Sequence, residues 1–304
     1  MAQIVAAMAL THAPGLTGWF DRASEEHQRA ALGALTELRE RLIAARPDVI
    51  VAFSNDHLLN WPINNVPEFT VGIGPEHVGP ADWYDEWLAL SKYRIPGHPG
   101  LGRFIVNESA RRRIAFAYLR RMEFDDGISV PMHYLNPEGA IALVPITMNC
   151  TVPPIPTPER CYRVGMALRE MLQAYPGPER IAVIGTGGLS HEPGGPRYFW
   201  VDEEFDRWFL DLLKQGDHAA LLRDCTLERM EAAGSGGHRR AQRLGAHVGL
   251  HARSGRCAGL RAGGSVADGH RNGGLERGRL KWPARIVWTP RRSTRSGTTP
   301  CPRA

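Results

Sequence analysis

The sequence predicts an α/β fold: one domain in which a mostly parallel central sheet is flanked by helices. Three observations predict it: five short, continuously apolar runs rich in β-branched residues, amphipathic helical stretches between some of them, and turn residues at the joins. The runs are QIVAAMAL (3–10), DVIVAFS (48–54), FTVGIG (69–74), IALVPITMN (141–149) and IAVIGTG (181–187). A strand that is apolar at every position is one covered on both faces, as helices on either side of a parallel sheet cover it.

Each element has its own local reasons. The N-terminal MAQIVAAMALTHAPG lacks a basic leader region and runs straight into His12 and Pro14, so it reads as a first core strand rather than a secretory signal. A helix follows from about Ser24, with Glu25 and Glu26 in its first turn. Ala31, Leu35, Leu38 and Leu42 form its apolar stripe and Pro47 closes it. A second helix opens at Thr157 as cap with Pro158 as first residue, carries the stripe Cys161, Val164, Leu168 and Leu172, and ends at YPGP. A third, DEEFDRWFLDLL, is expected to bury Phe205, Trp208, Phe209 and Leu212.

Composition bounds the function. The net charge of +5 hides an asymmetry: residues 238–304 carry about +13 and residues 1–237 about −8. The basic character therefore belongs to the tail, and the acidic body gives no sign of nucleic-acid binding. No run of 18 apolar residues suggests a transmembrane helix. The five cysteines (Cys150, Cys161, Cys225, Cys257, Cys301) are scattered with no CxxC, which fits a reducing cytoplasm and argues against a disulfide scaffold or zinc ribbon. The tail holds 14 Arg and 11 Gly in 67 residues and loses all periodicity, so the domain is expected to span 1–237 and residues 238–304 to be disordered.

The chemistry gathers at strand ends, where α/β sheets collect ligand-binding groups. His12 follows the first strand (LTHAPG), His57 the second (FSNDH), and His191 follows VIGTGG. One histidine at a strand end is usually a hydrogen-bonded structural residue. Three at equivalent ends suit a transition metal, and two His plus a carboxylate would leave positions open for substrate and O₂ on Fe(II). A zinc-type hydrolase using the same histidines is a further possibility at this level. His27 and His218 lie in polar surroundings, His98 precedes a helix-opening proline, and His77 stays undecided.

In order and spacing, LTHAPG, FSNDH, DDGISVPMHYL, GTGGLSH and GSGG resemble the class III extradiol ring-cleavage dioxygenases, typified by the protocatechuate 4,5-dioxygenase beta chain, over residues 1 to about 237. The resemblance implies a cytoplasmic Fe(II) enzyme that opens a catechol-type ring beside its diol with O₂ as co-substrate. His12 and His57 match the histidine iron ligands, and His191 matches the acid/base histidine that takes and returns a catechol proton. It also implies a small aromatic diol as partner, and either a homo-oligomer or a small alpha-type subunit, with no membrane or nucleic-acid partner.

Two departures stand out. Many relatives carry Asp-His-Gly where this chain has Asp125-Asp126-Gly127, so Asp126 stands in place of a pocket histidine. His133, seven residues on, is the imidazole expected to take up similar space, with a local hydrogen-bonding role as the alternative. The family's third iron ligand is a Glu just beyond the GSGG-like turn, and the matching residue here is Arg239, whose guanidinium cannot ligate iron. A reading-frame change near Gly237 explains the lost carboxylate and the lost periodicity together; the alternative is a genuine basic extension. Without that carboxylate, a ligand-binding relative that does not oxidise is the competing expectation. Trp83, Tyr84, Trp87 and Tyr93, in the distinctive segment 74–97, are candidates to line a ring-sized pocket, with Lys92 or Arg94 as carboxylate partners and protocatechuate or gallate as the first-choice substrate.

Overall fold

A computed structural model of the chain describes residues 1–190, 200–234, 260–262 and 284–288. Its strands are β1 (Gln3–Thr11), β2 (Val49–Asp56), β3 (Phe69–Gly72), β4 (Glu76–Gly79), β5 (Tyr93–Pro96), β6 (Ala117–Leu119), β7 (Ala142–Asn149), β8 (Arg180–Gly187), β9 (Leu260–Ala262) and β10 (Ala284–Trp288). Eight of them form one sheet in the order β6-β3-β7-β2-β8-β1-β10-β9, and β4 and β5 form a separate antiparallel pair. The central strands β7, β2, β8 and β1 are all parallel.

All five expected strands are present, and the mostly parallel α/β architecture is observed. One detail differs from the run-by-run reading: β3 lies antiparallel to β7. Residues 57–68 between β2 and β3 contain no helix. A parallel return needs a crossover, usually helical, so this chain turns back and enters the sheet in the opposite sense. Within residues 238–304 the described segments are β9 and β10, with β10 antiparallel to β1.

The apolar strands are explained by layers on both sides. Val49, Val51, Phe53 and Val183 point to one face, where they meet α4 (Pro99–Arg111) and α6 (Pro158–Ala174) through Leu101, Ile105, Val164 and Leu168. Their neighbours Ile50, Ala52 and Ile184 point to the other face, against Leu38 and Leu42 of α2 (Glu25–Ala45) and Ile128 and Met132 of α5 (Asp126–Leu135). Successive strand residues thus serve opposite layers and neither set can be polar.

Both helix starts are capped, Thr157 as expected. Ser24 Oγ accepts from His27 N at 3.3 Å, and Thr157 Oγ1 accepts from Arg160 N at 3.2 Å. In α7 (Glu203–Gln215) Phe205 and Phe209 are buried as expected, but Trp208 and Leu212 are only half-buried, and Leu210 and Leu213 take the inner positions. The apolar stripe is rotated because Trp208 packs at the layer's edge, where the Arg229 guanidinium covers its ring at 3.4 Å. Cys150, Cys161 and Cys225 are free and buried. Among the described residues no helix is long and apolar enough to cross a membrane.

Leu168 is fully buried between α6 and the sheet. Leu168→Ala should lower unfolding stability by about 2–5 kcal/mol, read from the denaturant midpoint at unchanged slope.

Candidate metal centre

The parallel order β2-β8-β1 brings the carboxyl ends of three strands side by side. His12 follows β1 and His57 follows β2, one on each side of β8, and their rings lie 5.3 Å apart at 75°. His12 is completely buried. Its Nδ1 is 3.2 Å from Thr186 Oγ1 on β8, and that hydroxyl is also 2.8 Å from the Gly127 carbonyl and 2.8 Å from Ser54 Oγ. A carbonyl only accepts, so Thr186 gives its proton to Gly127 O and accepts from His12 Nδ1–H. That assignment puts the ring proton on Nδ1 and the lone pair on Nε2.

The carboxylates come from the first turn of α5. Asp125 caps the helix: Oδ1 accepts from Gly127 N at 2.8 Å, while Oδ2 accepts from His57 N at 3.0 Å and from His57 Nδ1 at 2.8 Å. Asp126 Oδ1 lies 3.0 Å from the same His57 Nδ1. Two sequence features seat this turn on the strand ends. Pro131 has no N–H for the carbonyl four residues back, and that carbonyl is Gly127 O, which Thr186 satisfies instead. A Cβ on Gly127 would sit 2.3 Å from Ser54 Oγ, so only glycine permits the approach.

His12, His57 and Asp126 each offer a ligand atom within 4.8 Å of the other two. The electrostatics are strongly acidic. Burial alone would lower the His57 pKa, but the charges of Asp126 and Asp125 and their hydrogen bonds hold it well above its ordinary value. Asp56 is pushed up by burial and by Asp125, against the pull of the Leu59 and Asn60 amides that its Oδ1 accepts. These amide bonds fix the turn that presents His57.

Of the sequence-derived site residues, the structure brings together His12, His57 and Asp126. Asp126 is not simply the occupant of a lost histidine's place, because its carboxylate faces His57 beside His12. His133 is not brought in: it is exposed two turns further along α5, with its ring against Tyr134. His191 and Arg239 lie outside the described residues. Tyr84 is buried, whereas Trp83 and Trp87 are 63% and 37% exposed. Lys92 pairs with Asp82 and Arg94 with Glu76, so both cations are engaged at the surface. His98 caps α4 through Nδ1 and meets Glu179 through Nε2. His77 is fully buried, accepts from Met122 N and is pushed down to about 4 by burial. Sequence reasoning missed Ser54, Asp125 and Thr186. The only available signal was that all three sit within the quoted motifs.

The family model described as the catalytic LigB subunit of aromatic ring-opening dioxygenase matches residues 6–253. A gallate dioxygenase from Pseudomonas putida is 34% identical over 122 residues, covering 39% of this chain and 36% of that protein. A 2,3-dihydroxyphenylpropionate/2,3-dihydroxicinnamic acid 1,2-dioxygenase from Pseudomonas putida is 27% identical over 194 residues, covering 64% of this chain and 58% of the relative. The chain thus spans only about a third to three fifths of these relatives' length. The crystal structure of an uncharacterized protein, JW3007, from Escherichia coli K12 superposes with a TM-score of 0.50 at 13% identity, over 93% of this chain and 98% of that one, and shares its fold.

One further contact anchors the segment that leads to residue 191. Ser190 N donates to Asp206 Oδ1 at 2.8 Å, and Ser190 Oγ accepts from Asp202 N at 2.9 Å. Burial is the main cause that raises the Asp206 pKa to about 7, with the charges of Asp202 and Glu203 adding to it. The folded state therefore holds a proton that the unfolded chain releases near 3.8. This contribution to stability is fully present below pH 3.8 and is lost as pH rises to about 7. Asp206→Asn should flatten the fall in melting temperature across that window.

Proposed function

The chain belongs to the family of catalytic LigB subunits of aromatic ring-opening dioxygenases, and on that premise we propose that it opens a catechol-type ring beside the diol, using Fe(II) and O₂. The observation that carries this reading is the grouping of buried His12 and Asp126 with half-buried His57. Two imidazoles and one carboxylate form a donor set that suits Fe(II) and leaves coordination positions open. When bound there, iron supplies the one-electron exchange that the diol and O₂ cannot make with each other directly.

The protein's part is geometry and proton placement. Thr186 engages His12 at Nδ1, which leaves Nε2 as the nitrogen to offer a metal. Asp125 grips His57 at both backbone N and Nδ1 and fixes the ring, and a metal would replace Asn55 Nδ2, which lies 2.8 Å from His57 Nε2. In this reading Asp126 supplies the carboxylate that relatives draw from the position of Arg239, so holding the metal does not require residue 239. The competing reading, a non-oxidising relative, rests on a missing carboxylate, and Asp126 in this role would supply one. His191 is proposed as the acid/base that takes and returns the diol proton, on the strength of the resemblance alone.

A carboxylated catechol such as protocatechuate or gallate is the proposed substrate, with 2,3-dihydroxyphenylpropionate next. The gallate and dihydroxyphenylpropionate relatives support that class. We further propose a cytoplasmic homo-oligomer or a pairing with a small alpha-type subunit.

The test is oxygen uptake by Fe(II)-loaded protein given each of these catechols, with a yellow ring-opened product followed optically. Uptake with at least one catechol is expected, and His12→Ala and Asp126→Ala should each reduce it by more than about 100-fold. No uptake with any of them, or full activity in Asp126→Ala, would sink the reading.

A further inference from the structure

The segment 74–97 contains the helix α3 (Tyr84–Leu88), which packs against α1 (Gly15–Gly18) and α5. The helix α1 begins three residues after His12, and α5 begins at Asp126. A short helix that touches both is a roof over the grouping rather than a distant decoration. Gly18 marks the closeness, since a Cβ there would sit 2.4 Å from the Trp87 carbonyl oxygen.

Tyr84 and Leu88 are the buried residues of this roof, and Tyr84 carries the polar group. It is 4% exposed, and its cluster contains Ala13, Leu16 and Val130, with Leu59 packed against it. Ala13 is next to His12, Leu59 is two residues past His57, and Val130 is one helical turn past Asp126. The Trp83 ring covers Tyr84 from outside at 3.9 Å between centroids. Among the described residues the phenol makes no hydrogen bond, and its electrostatic neighbours are Asp125, Asp126 and Asp56. The ring is packed away while the hydroxyl is left to a partner from outside the fold.

The chemistry around it says what the partner is. Three carboxylates, Asp56, Asp125 and Asp126, stand at this end of the sheet, and an aromatic diolate brought among them meets like charge. Burial, followed by the charges of Asp125, Asp126 and Asp56, holds the Tyr84 phenol protonated through the whole physiological range. It is therefore a fixed neutral donor in an acidic site, and a phenol donating to an anionic oxygen makes a short, strong bond.

We propose that Tyr84 is a substrate-contacting residue whose phenol donates a hydrogen bond to an anionic oxygen of the aromatic diol held between α3 and the His12–His57–Asp126 grouping. The inference rests on the ring-opening reading and deepens it by naming the donor that lets an anionic diol enter an acidic site. The probe is 4-nitrocatechol, whose colour changes on binding, titrated without oxygen into Co(II)-loaded wild-type protein and Tyr84→Phe. The variant keeps the ring and its packing, so its melting temperature and Co(II) affinity should match wild type. Its dissociation constant for 4-nitrocatechol should rise about ten- to a hundred-fold. A constant within twofold of wild type overturns the role of Tyr84 while leaving the ring-opening reading standing. Wild-type protein that neither binds the probe nor takes up oxygen with any catechol overturns both.

Discussion

The first turn of α5 rests on the ends of β2 and β8, and the arrangement of the site follows from that one seat. Gly127 has no side chain, so the helix approaches until Ser54 fills the space a Cβ would need. Pro131 withholds the donor that would have bonded Gly127 within the helix, and the released carbonyl takes the Thr186 hydroxyl. Thr186 in turn fixes His12. At the same turn Asp125 caps the helix with one oxygen and holds His57 with the other. One local backbone feature thus sets both imidazoles and delivers Asp126 beside them. A perturbation of Gly127 or Pro131 would disturb both histidines and the carboxylate at once.

The same seat concentrates charge. Asp56, Asp125 and Asp126 all belong to the carboxyl end of the sheet, and burial raises the cost of keeping them ionised. Asp56 yields by a raised pKa, and His57 responds by holding its proton more tightly. A divalent cation among these groups would neutralise what the folded protein otherwise tolerates at a cost. Metal binding should therefore release strain in the electrostatic balance as well as form ligand bonds.

Much of this was legible in the sequence, for identifiable reasons. The five strands were visible because two-sided burial leaves continuous apolar runs, and helices α2 and α6 because Ser24, Thr157 and Pro158 are strong start signals. His12 and His57 were visible because strand ends are where such groups collect. What escaped were features that depend on distant pairing. The antiparallel entry of β3 follows from a connection without a helix, which an apolar run does not announce. His133 has the right spacing from Asp126 to share its helix face, yet the helix end carries it into solvent. Asp126 read as a missing histidine because motif comparison compares residue types; that its carboxylate sits beside His57 depends on the seat of α5. Trp208 and Leu212 looked like core residues because their period fits, but the layer they face is shallow there.

The central claim is that Asp126 supplies the carboxylate of the metal site. Its most direct test is calorimetric titration of metal-free protein with Co(II), comparing wild type, Asp126→Asn and Arg239→Ala. The account predicts that Asp126→Asn weakens binding by about tenfold or more while Arg239→Ala binds as wild type does. Unchanged affinity in Asp126→Asn would contradict it and return the carboxylate to some other residue.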